Sequence, residues 1–366
     1  MNQRYDVCII GGGAAGLACA ASIDRGIRTC ILEKNEILGR KILATGGGRC
    51  NLTNAGCAGA SATLGFFALR GMETFCDSEG RYYPYSECAA DVVRILENSI
   101  DKTYCDIMTS SAVSNVSVQN GSFRIGFDRP GKKTGVITAD RLVIAAGGKA
   151  GPQFGTTGDG YRLAKGLGHR VSRLYPILTG IECGDFSDLK GIRARGTVTL
   201  YRDGEKIGEE KGQIQFTRDG VSGICVFDLT PLIRAEEGED PKDAMKRYEL
   251  SLDLAPDISG ELLRQRESVF GIVTGALAER LDTESVKDWR LPVLGIKGWR
   301  DAQCTAGGVV LDEIDPATQE SRLVPGLYFA GEILDVQGPC GGYNLQNAWE
   351  TGIRAAAAIN ERAKAL

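Results

Sequence analysis

Several features are scarce in this sequence, and each scarcity excludes something. There is one histidine, His169, in 366 residues, so a Cys/His zinc site has no histidine pair to draw on and no metal is expected. The twelve cysteines contain no C-x-x-C pair. That removes a dithiol relay and leaves them reading as the reduced thiols of a cytoplasmic protein. Cys8, Cys19 and Cys30 fall within apolar stretches, where a thiol acts as a small hydrophobe. No apolar run approaches the roughly 18–20 residues of a membrane-spanning helix, and the first strand begins too early to leave room for a signal peptide. Net charge is only −4, with no block of like charge. That argues against nucleic acid or an anionic membrane as the main partner.

Glycine, by contrast, is abundant at 49 residues, and it clusters. Arg4 to Ile10 (RYDVCII) is an apolar run of buried-strand length. Gly11-Gly12-Gly13-Ala14-Ala15-Gly16 follows and fits G-x-G-x-x-G through Gly11, Gly13 and Gly16. A helix is expected over Ala14 to Arg25, stopped by Gly26, and a second strand, Thr29 to Leu32, ends in Glu33. In this arrangement the first glycine allows the tight turn, the second lets a pyrophosphate approach the backbone, and the third lets helix and strand pack closely. The helix start offers N–H groups to phosphate, and Glu33 would accept from a ribose hydroxyl. A dinucleotide site is the reading.

Further glycine clusters lie far apart in the chain. Glu36 to Asn54 carries Gly39 and then Gly46-Gly47-Gly48, with Arg40, Lys41 and Arg49 between and after them, a combination suited to a flat or anionic ligand. Ala55 to Arg70 is small-residue-rich and aperiodic, so a loop is expected; Ala89 to Tyr104 reads as a helix with Val92, Val93, Leu96 and Ile100 on one face. Ile107 to Val118, Ser122 to Phe127, Gly135 to Thr138 and Arg141 to Ala146 read as strands, the last running into Gly147-Gly148. From about 175 the character changes. Gly196 to Leu200 and Glu205 to Phe216 alternate around an Asp203-Gly204 turn, and Asp240 to Leu250 and Ile258 to Leu281 look helical, with Trp289 to Trp299 a connector. Gly326 to Ala330 is a buried strand leading into Gly331-Glu332, followed by a glycine-rich turn at Gly338 to Gly342 and a terminal helix from Asn344. Two terminal segments of one kind around a different middle predict a discontinuous domain. Its bounds would be 1–174 and 302–366, with 175–301 inserted, β-rich over about 175–235 and helical over about 236–301. The fold class is α/β, a Rossmann-like domain carrying a β-rich plus helical substrate domain.

A nicotinamide dehydrogenase completes its site with the next βα units, whereas here a distant C-terminal strand and helix return. In that respect, and in the motifs GGGAAG (Gly11 to Gly16), GRKILATGGGRCNLTN (Gly39 to Asn54), GTTGDGY (Gly155 to Tyr161), TAGGV (Thr305 to Val309) and GLYFAGEILDVQGPCGGYNLQNAWETG (Gly326 to Gly352), the sequence resembles the YhiN-like and BaiN-like flavoproteins. These are related to the fumarate reductase branch of the glutathione-reductase-type FAD fold. The resemblance spans nearly the whole chain. It implies non-covalent FAD. Gly11, Gly13, Ala14, Ala15 and Gly16 would hold the pyrophosphate, and Glu33, with Lys34 beside it, the adenosine ribose. Arg40 and Lys41 would lie near the adenosine half, and Val113 would meet adenine through its backbone. Gly46, Gly47, Gly48 and Asn51 would line the flavin end, with Ala146 and Gly147 close to the dinucleotide. Gly331 and Glu332 would face the ribityl-phosphate, and Gly342, Tyr343, Asn344 and Leu345 the isoalloxazine ring. Family members commonly carry a longer region between Asn54 and Arg81, so one wall of the site is expected to differ.

The resemblance further implies an oxidoreductase with a small-molecule substrate, favouring an NAD(P)H-dependent reductase of an activated C=C bond such as a steroid or bile-acid enone. The lack of a second G-x-G-x-x-G means NAD(P)H would dock only transiently at the flavin. An amine oxidase of the aminoacetone-oxidising type using oxygen, and a redox-sensing or electron-transfer flavoprotein, are the alternatives. Tyr343, Arg49 and His169 are the candidate catalytic residues, by residue type and position.

Overall fold

The computed structural model describes residues 3–236 and 238–364. The chain divides into two compact units, Met1–Tyr175 with Cys304–Leu366, and Pro176–Gln303.

The first unit is built on β1 (Gln3–Ile10), α1 (Ala14–Ala20) and β2 (Thr29–Leu32), followed by β3 (Thr53–Asn54), α2 (Ala60–Ala68), β4 (Thr74–Cys76), β5 (Arg81–Pro84) and α3 (Ala89–Ser99). Then come β6 (Cys105–Met108), β7 (Ala112–Gln119), β8 (Ser122–Asp128), β9 (Gly135–Ile144) and α4 (Asp159–Gly166). The main sheet runs β6-β2-β1-β9-β8-β7. β2, β1 and β9 are parallel to their neighbours toward β6, while β8 and β7 add antiparallel pairs. β9 is one continuous strand where two were expected. Its first half pairs with β8, and Leu142 to Ile144 pair in parallel with a strand that returns from the far end of the sequence.

β1 shows why the apolar run does not alternate with polar residues. Val7 and Ile9 join the core on one face of the sheet, and Cys8 and Ile10 the core on the other. A strand covered on both faces reads as continuous apolar sequence.

β10 (Tyr175–Ile177) begins on the last residue before the second unit, which carries β11 (Ile181–Glu182), β12 (Arg193–Arg202), β13 (Glu205–Phe216), β14 (Gly220–Ser222), α5 (Ile224–Phe227), α6 (Pro241–Met245), β15 (Tyr248–Asp253), α7 (Gly260–Arg264), α8 (Gly275–Ala278), β16 (Trp289–Pro292) and β17 (Gly295–Ile296). Its antiparallel sheet is ordered β16-β15-β12-β13-β14-β11-β17. The helical reading of its second half is corrected here. Tyr248, Leu250 and Leu252 are buried and alternate with Glu249 and Ser251, so this segment is a strand beside β12. Asp240 caps only the short α6, accepting from the Lys242 N–H at 2.8 Å. The Ile258 to Leu281 stretch yields two single-turn helices separated by Gly271 at φ +82°, and the tryptophan-bounded connector contains β16 and β17.

The chain re-enters the first unit with β18 (Cys304–Ala306), β19 (Leu327–Phe329) and α9 (Tyr343–Lys364). α9 is the longest helix described, and it lies against α1 with almost nothing between them. A side chain at Gly352 would put its Cβ 2.3 Å from the Ala15 carbonyl oxygen, and one at Gly331 would put it 2.8 Å from the Ala15 Cβ. Lower on α9, Trp349 is fully buried, donates from Nε1 to the Leu52 carbonyl at 2.9 Å, and packs edge-on against Phe67. Phe67 belongs to α2, a helix where a loop was expected. Thr63, Phe66 and Phe67 give α2 the three-and-four spacing of a buried face, which its many small residues obscured. α1 ends at Ala20 instead of Arg25 because Asn360 of α9 takes up the Asp24 N–H and the Ser22 carbonyl.

Gly352→Ala should therefore force these helices apart at a cost of about 1–3 kcal/mol. A lower urea midpoint at unchanged slope would show it, and an unchanged midpoint would contradict the close crossing.

Candidate dinucleotide site

The glycine clusters converge in the first unit. Gly11 sits at φ +104°, with a would-be Cβ 2.4 Å from the Ala145 oxygen; at Gly16 the Cβ would fall 1.9 Å from the Gly11 oxygen. Gly13, by contrast, has no heavy atom within 4 Å of a would-be Cβ, and the same is true of Gly47 and Gly48. The motif is thus packed on its first and last glycines and open at its middle one. Ala14 and Ala15 begin α1.

Glu33 is buried at the end of β2. Its Oε2 accepts from the Gly12 N–H at 2.7 Å, and its Oε1 accepts from both the backbone N–H and the side-chain Nδ2 of Asn35, each at 2.7 Å. Asn35 in turn receives the Arg40 guanidinium at 3.2 Å. Lys34 turns toward α4, donating to Thr157 at 2.7 Å and pairing with Asp159. Val113 lies on β7 at a register shift. The Arg162 guanidinium donates to the carbonyls of Ser114 at 2.7 Å and Val113 at 3.5 Å, so the backbone proposed to meet adenine is already under a cation.

Ala146 and Gly147 leave β9, and Gly148 has room for no side chain because Thr305 and Glu332 lie against it. Here Lys41 donates to Glu332 Oε2 at 2.7 Å, while Glu332 Oε1 accepts from the Thr305 N–H at 2.9 Å. Burial alone would lower the Lys41 pKa; the adjoining Glu332 carboxylate more than offsets it and leaves the ammonium raised. Lys41 thus meets Glu332, which joins two residues that the resemblance assigned to opposite halves of the dinucleotide.

Gly46, Gly47 and Gly48 are consecutive residues with positive φ, +57°, +68° and +89°, forming a kinked turn over Asn51 and Tyr83. Arg49 lies 4.4 Å over the Tyr83 ring and pairs with Glu87 at 3.0 Å. Cys50 is fully buried, its thiol pushed up to about 12 by that burial, which removes it as a nucleophile.

Gly338 to Gly342 forms the turn that starts α9. Asn344 closes it by accepting from the Gly338 N–H and donating to the Gly338 carbonyl, both at 2.9 Å. Its side chain is thereby occupied, which leaves its backbone as the part able to meet a ligand. Leu345 is half-buried beside it, and a Cβ on Gly342 would strike the Thr53 carbonyl at 2.6 Å. The Tyr343 hydroxyl reaches Asn54 Oδ1 at 3.3 Å. Asn54, Asn35, Thr305 and Gly12 were not singled out from sequence. Each is a small polar or glycine residue with no chemistry of its own, and only its partners reveal it.

His169 is corrected from candidate proton donor to core residue. The ring is buried, holds Ser321 Oγ at 2.8 Å through Nε2, and lies against Phe329. Burial lowers its pKa from the ordinary 6.5, with Glu313 opposing. The unfolded chain then binds a proton that the folded chain refuses, so His169 subtracts stability as pH falls below about 6.5. His169→Gln should flatten that loss between pH 7.5 and 5.5 in urea melts; an equal slope in both proteins would contradict the burial argument.

Among the described residues no group of His, Cys, Asp or Glu is arranged to hold a metal ion, and no helix is long and apolar enough to cross a membrane. The arrangement can hold an extended ligand with an anionic centre: an acid at one end, open glycines in the middle, and a helix start at the other.

Comparison with known proteins agrees. The model of the HI0933-like protein Rossmann domain matches residues 5–61 and 59–358. The two matched segments overlap at 59–61, inside the region expected to be short. A 3-dehydro-bile acid delta(4,6)-reductase from Clostridium scindens is 34% identical over 97% of this chain and 98% of its own length. A ribosomal RNA dihydrouridine synthase from Escherichia coli is 27% identical over 95% of this chain and 96% of its own. Among solved structures, a 3-ketosteroid-delta4-(5alpha)-dehydrogenase from Rhodococcus jostii superposes with a TM-score of 0.56 at 14% identity, covering 98% of this chain and 97% of that one. The open conformation of a flavocytochrome c3 fumarate reductase gives 0.53 at 14%, covering 99% and 78%. The chain belongs to the HI0933-like family of FAD-dependent oxidoreductases, and its α/β fold is of the Rossmann type found there.

Proposed function

We propose that this flavoenzyme reduces a C=C bond conjugated to a carbonyl, with NAD(P)H as the source of hydride. The observation that supports this reading most is the glycine cradle running from Gly11–Gly16 to Gly338–Gly342, with no second dinucleotide motif for a resident nicotinamide. The names of two relatives, a delta(4,6)-reductase of a 3-oxo bile acid and a synthase of dihydrouridine, both describe saturation of a ring C=C.

The residues present suit FAD. Gly13, Gly47 and Gly48 leave open backbone where phosphates and a flat ring need it. A carboxylate offers about four acceptor sites. Glu33 uses three of them, leaving one on Oε2 for a ribose hydroxyl. Gly11, Gly13, Ala14, Ala15 and Gly16 would hold the pyrophosphate, with Lys34, Arg40 and Val113 around the adenosine. Lys41, Ala146, Gly147, Gly331 and Glu332 would lie along the ribityl-phosphate. Gly46, Gly47, Gly48, Asn51, Gly342, Tyr343, Asn344 and Leu345 would surround the flavin.

Bound FAD supplies the two-electron chemistry. In the net reaction NAD(P)H is oxidised, the substrate carbon β to the carbonyl gains a hydride, and the α carbon gains a proton. The chain's part is to hold and orient. The start of α9 favours negative charge on the pyrimidine side, and Arg49, fixed by Tyr83 and Glu87, would form the wall beside it.

Anaerobic addition of NADH or NADPH should bleach the flavin absorbance of the purified protein, and an enone should restore it. Candidate acceptors are a 3-oxo-4-ene steroid and a uridine-containing RNA. Bleaching by an amine alone, with hydrogen peroxide formed in air, would replace the reductase by an oxidase. No bleaching by either would leave a sensor or carrier.

A further inference from the structure

Asn54 is buried, and three hydrogen bonds engage its side chain at the end of the site where the flavin is proposed to lie. Its Nδ2 donates to the Gly341 carbonyl at 2.9 Å; its Oδ1 accepts from the Gly56 N–H at 3.0 Å and from the Tyr343 hydroxyl at 3.3 Å. Glycines surround the contact. A Cβ on Gly56 would stand 2.4 Å from the Tyr343 hydroxyl, one on Gly80 3.2 Å from Asn54 Oδ1, and one on Gly341 3.4 Å from Asn54 Nδ2. Space has been left on three sides for one amide and one phenol.

Those bonds tie together parts that are distant in sequence. Asn54 ends β3, which pairs with β5 in the small sheet, while Gly341 and Tyr343 belong to the turn and first residue of α9. Asn344 closes the Gly338–Gly342 turn on itself; Asn54 fastens that closed turn to β3. The other end of the same amide engages Tyr343, whose hydroxyl donates to Asn54 Oδ1.

The geometry points to Asn54 as the positioning residue of this active site, a latch that fixes the start of α9 and the Tyr343 phenol at the flavin's edge. It acts through the turn, and it rests on the placement of the flavin proposed above. A helix start held in register stabilises the extra negative charge of the reduced flavin. One released from the latch does so less well. Tyr343 on this account is a tie whose hydroxyl is spent on Asn54, in place of the proton donor its residue type suggests.

The flavin reduction potential of the FAD-loaded enzyme tests this, measured anaerobically against a reference dye. Asn54→Ser removes the reach to Gly341 and should cut the preference for reduced flavin by up to about tenfold, which is about 30 mV in a two-electron couple. Tyr343→Phe leaves the Gly341 bond in place and should shift the potential in the same direction by less. The double variant should be no worse than Asn54→Ser, because the two groups act through one contact. If Asn54→Ser does not fold, Asn54→Asp carries the test. It keeps the two bonds accepted by Oδ1 but sets a charged acceptor against the Gly341 carbonyl, so its shift should exceed that of Tyr343→Phe and shrink as the carboxyl is protonated and can donate to Gly341 again. A folded, FAD-loaded Asn54→Ser enzyme with the wild-type potential would overturn the latch. Wild-type protein that takes up no FAD would instead overturn the flavin placement beneath it.

Discussion

The contact on which the first unit depends is the approach of α9 to α1 across glycine. Gly352 brings the last helix against the Ala15 carbonyl, and Gly331 brings the preceding loop against the Ala15 side chain. Neither approach is open to a larger residue. Once α9 is seated there, Trp349 reaches the Leu52 carbonyl and the Phe67 ring. The start of the helix is then set on β3, with Gly342 against the Thr53 backbone. The position of the Gly338–Gly342 turn thus follows from packing a full two turns further along the helix. A chain whose two ends must meet to form one site has made their meeting a steric requirement.

Electrostatics impose a second constraint on the same region. Buried charges are costly unless paired and hydrogen-bonded, and the acids here satisfy that condition within the chain itself. Glu33 accepts from Gly12 and Asn35, and Glu332 from Lys41 and Thr305. These side chains are therefore held in place by the chain itself, and groups already ordered cost less to order on binding. Arg49 and Arg162 are likewise engaged by Glu87 and by the Ser114 carbonyl. Their positions are set by the scaffold.

Much of this was legible in the sequence, for identifiable reasons. The first βαβ unit declared itself because glycine spacing, an apolar strand and Glu33 are local signals that fall in one stretch. The terminal helix and the return of Gly326 to Ala330 were equally plain. The second half of the inserted unit was misread because Tyr248 to Asp253 follows a helix start at Asp240-Pro241, and its period of two lasts only six residues. α2 was missed because small residues diluted its buried face. His169 looked catalytic by type, and only its tertiary neighbours, Ser321 and Phe329, make it a core residue. Asn54 lay in plain view inside a quoted motif. Its importance comes from Gly341 and Tyr343, almost three hundred residues away in the chain, and no local pattern encodes that distance.

The central claim is that one FAD is held between the first and last segments of the chain. Hydrogen–deuterium exchange, with and without FAD, reads this most directly. The account predicts that FAD slows exchange together in Gly11 to Leu17, in Gly46 to Asn51 and in Gly338 to Gln346, at one cofactor per chain. Protection confined to the first of these, with the C-terminal turn unchanged, would contradict it.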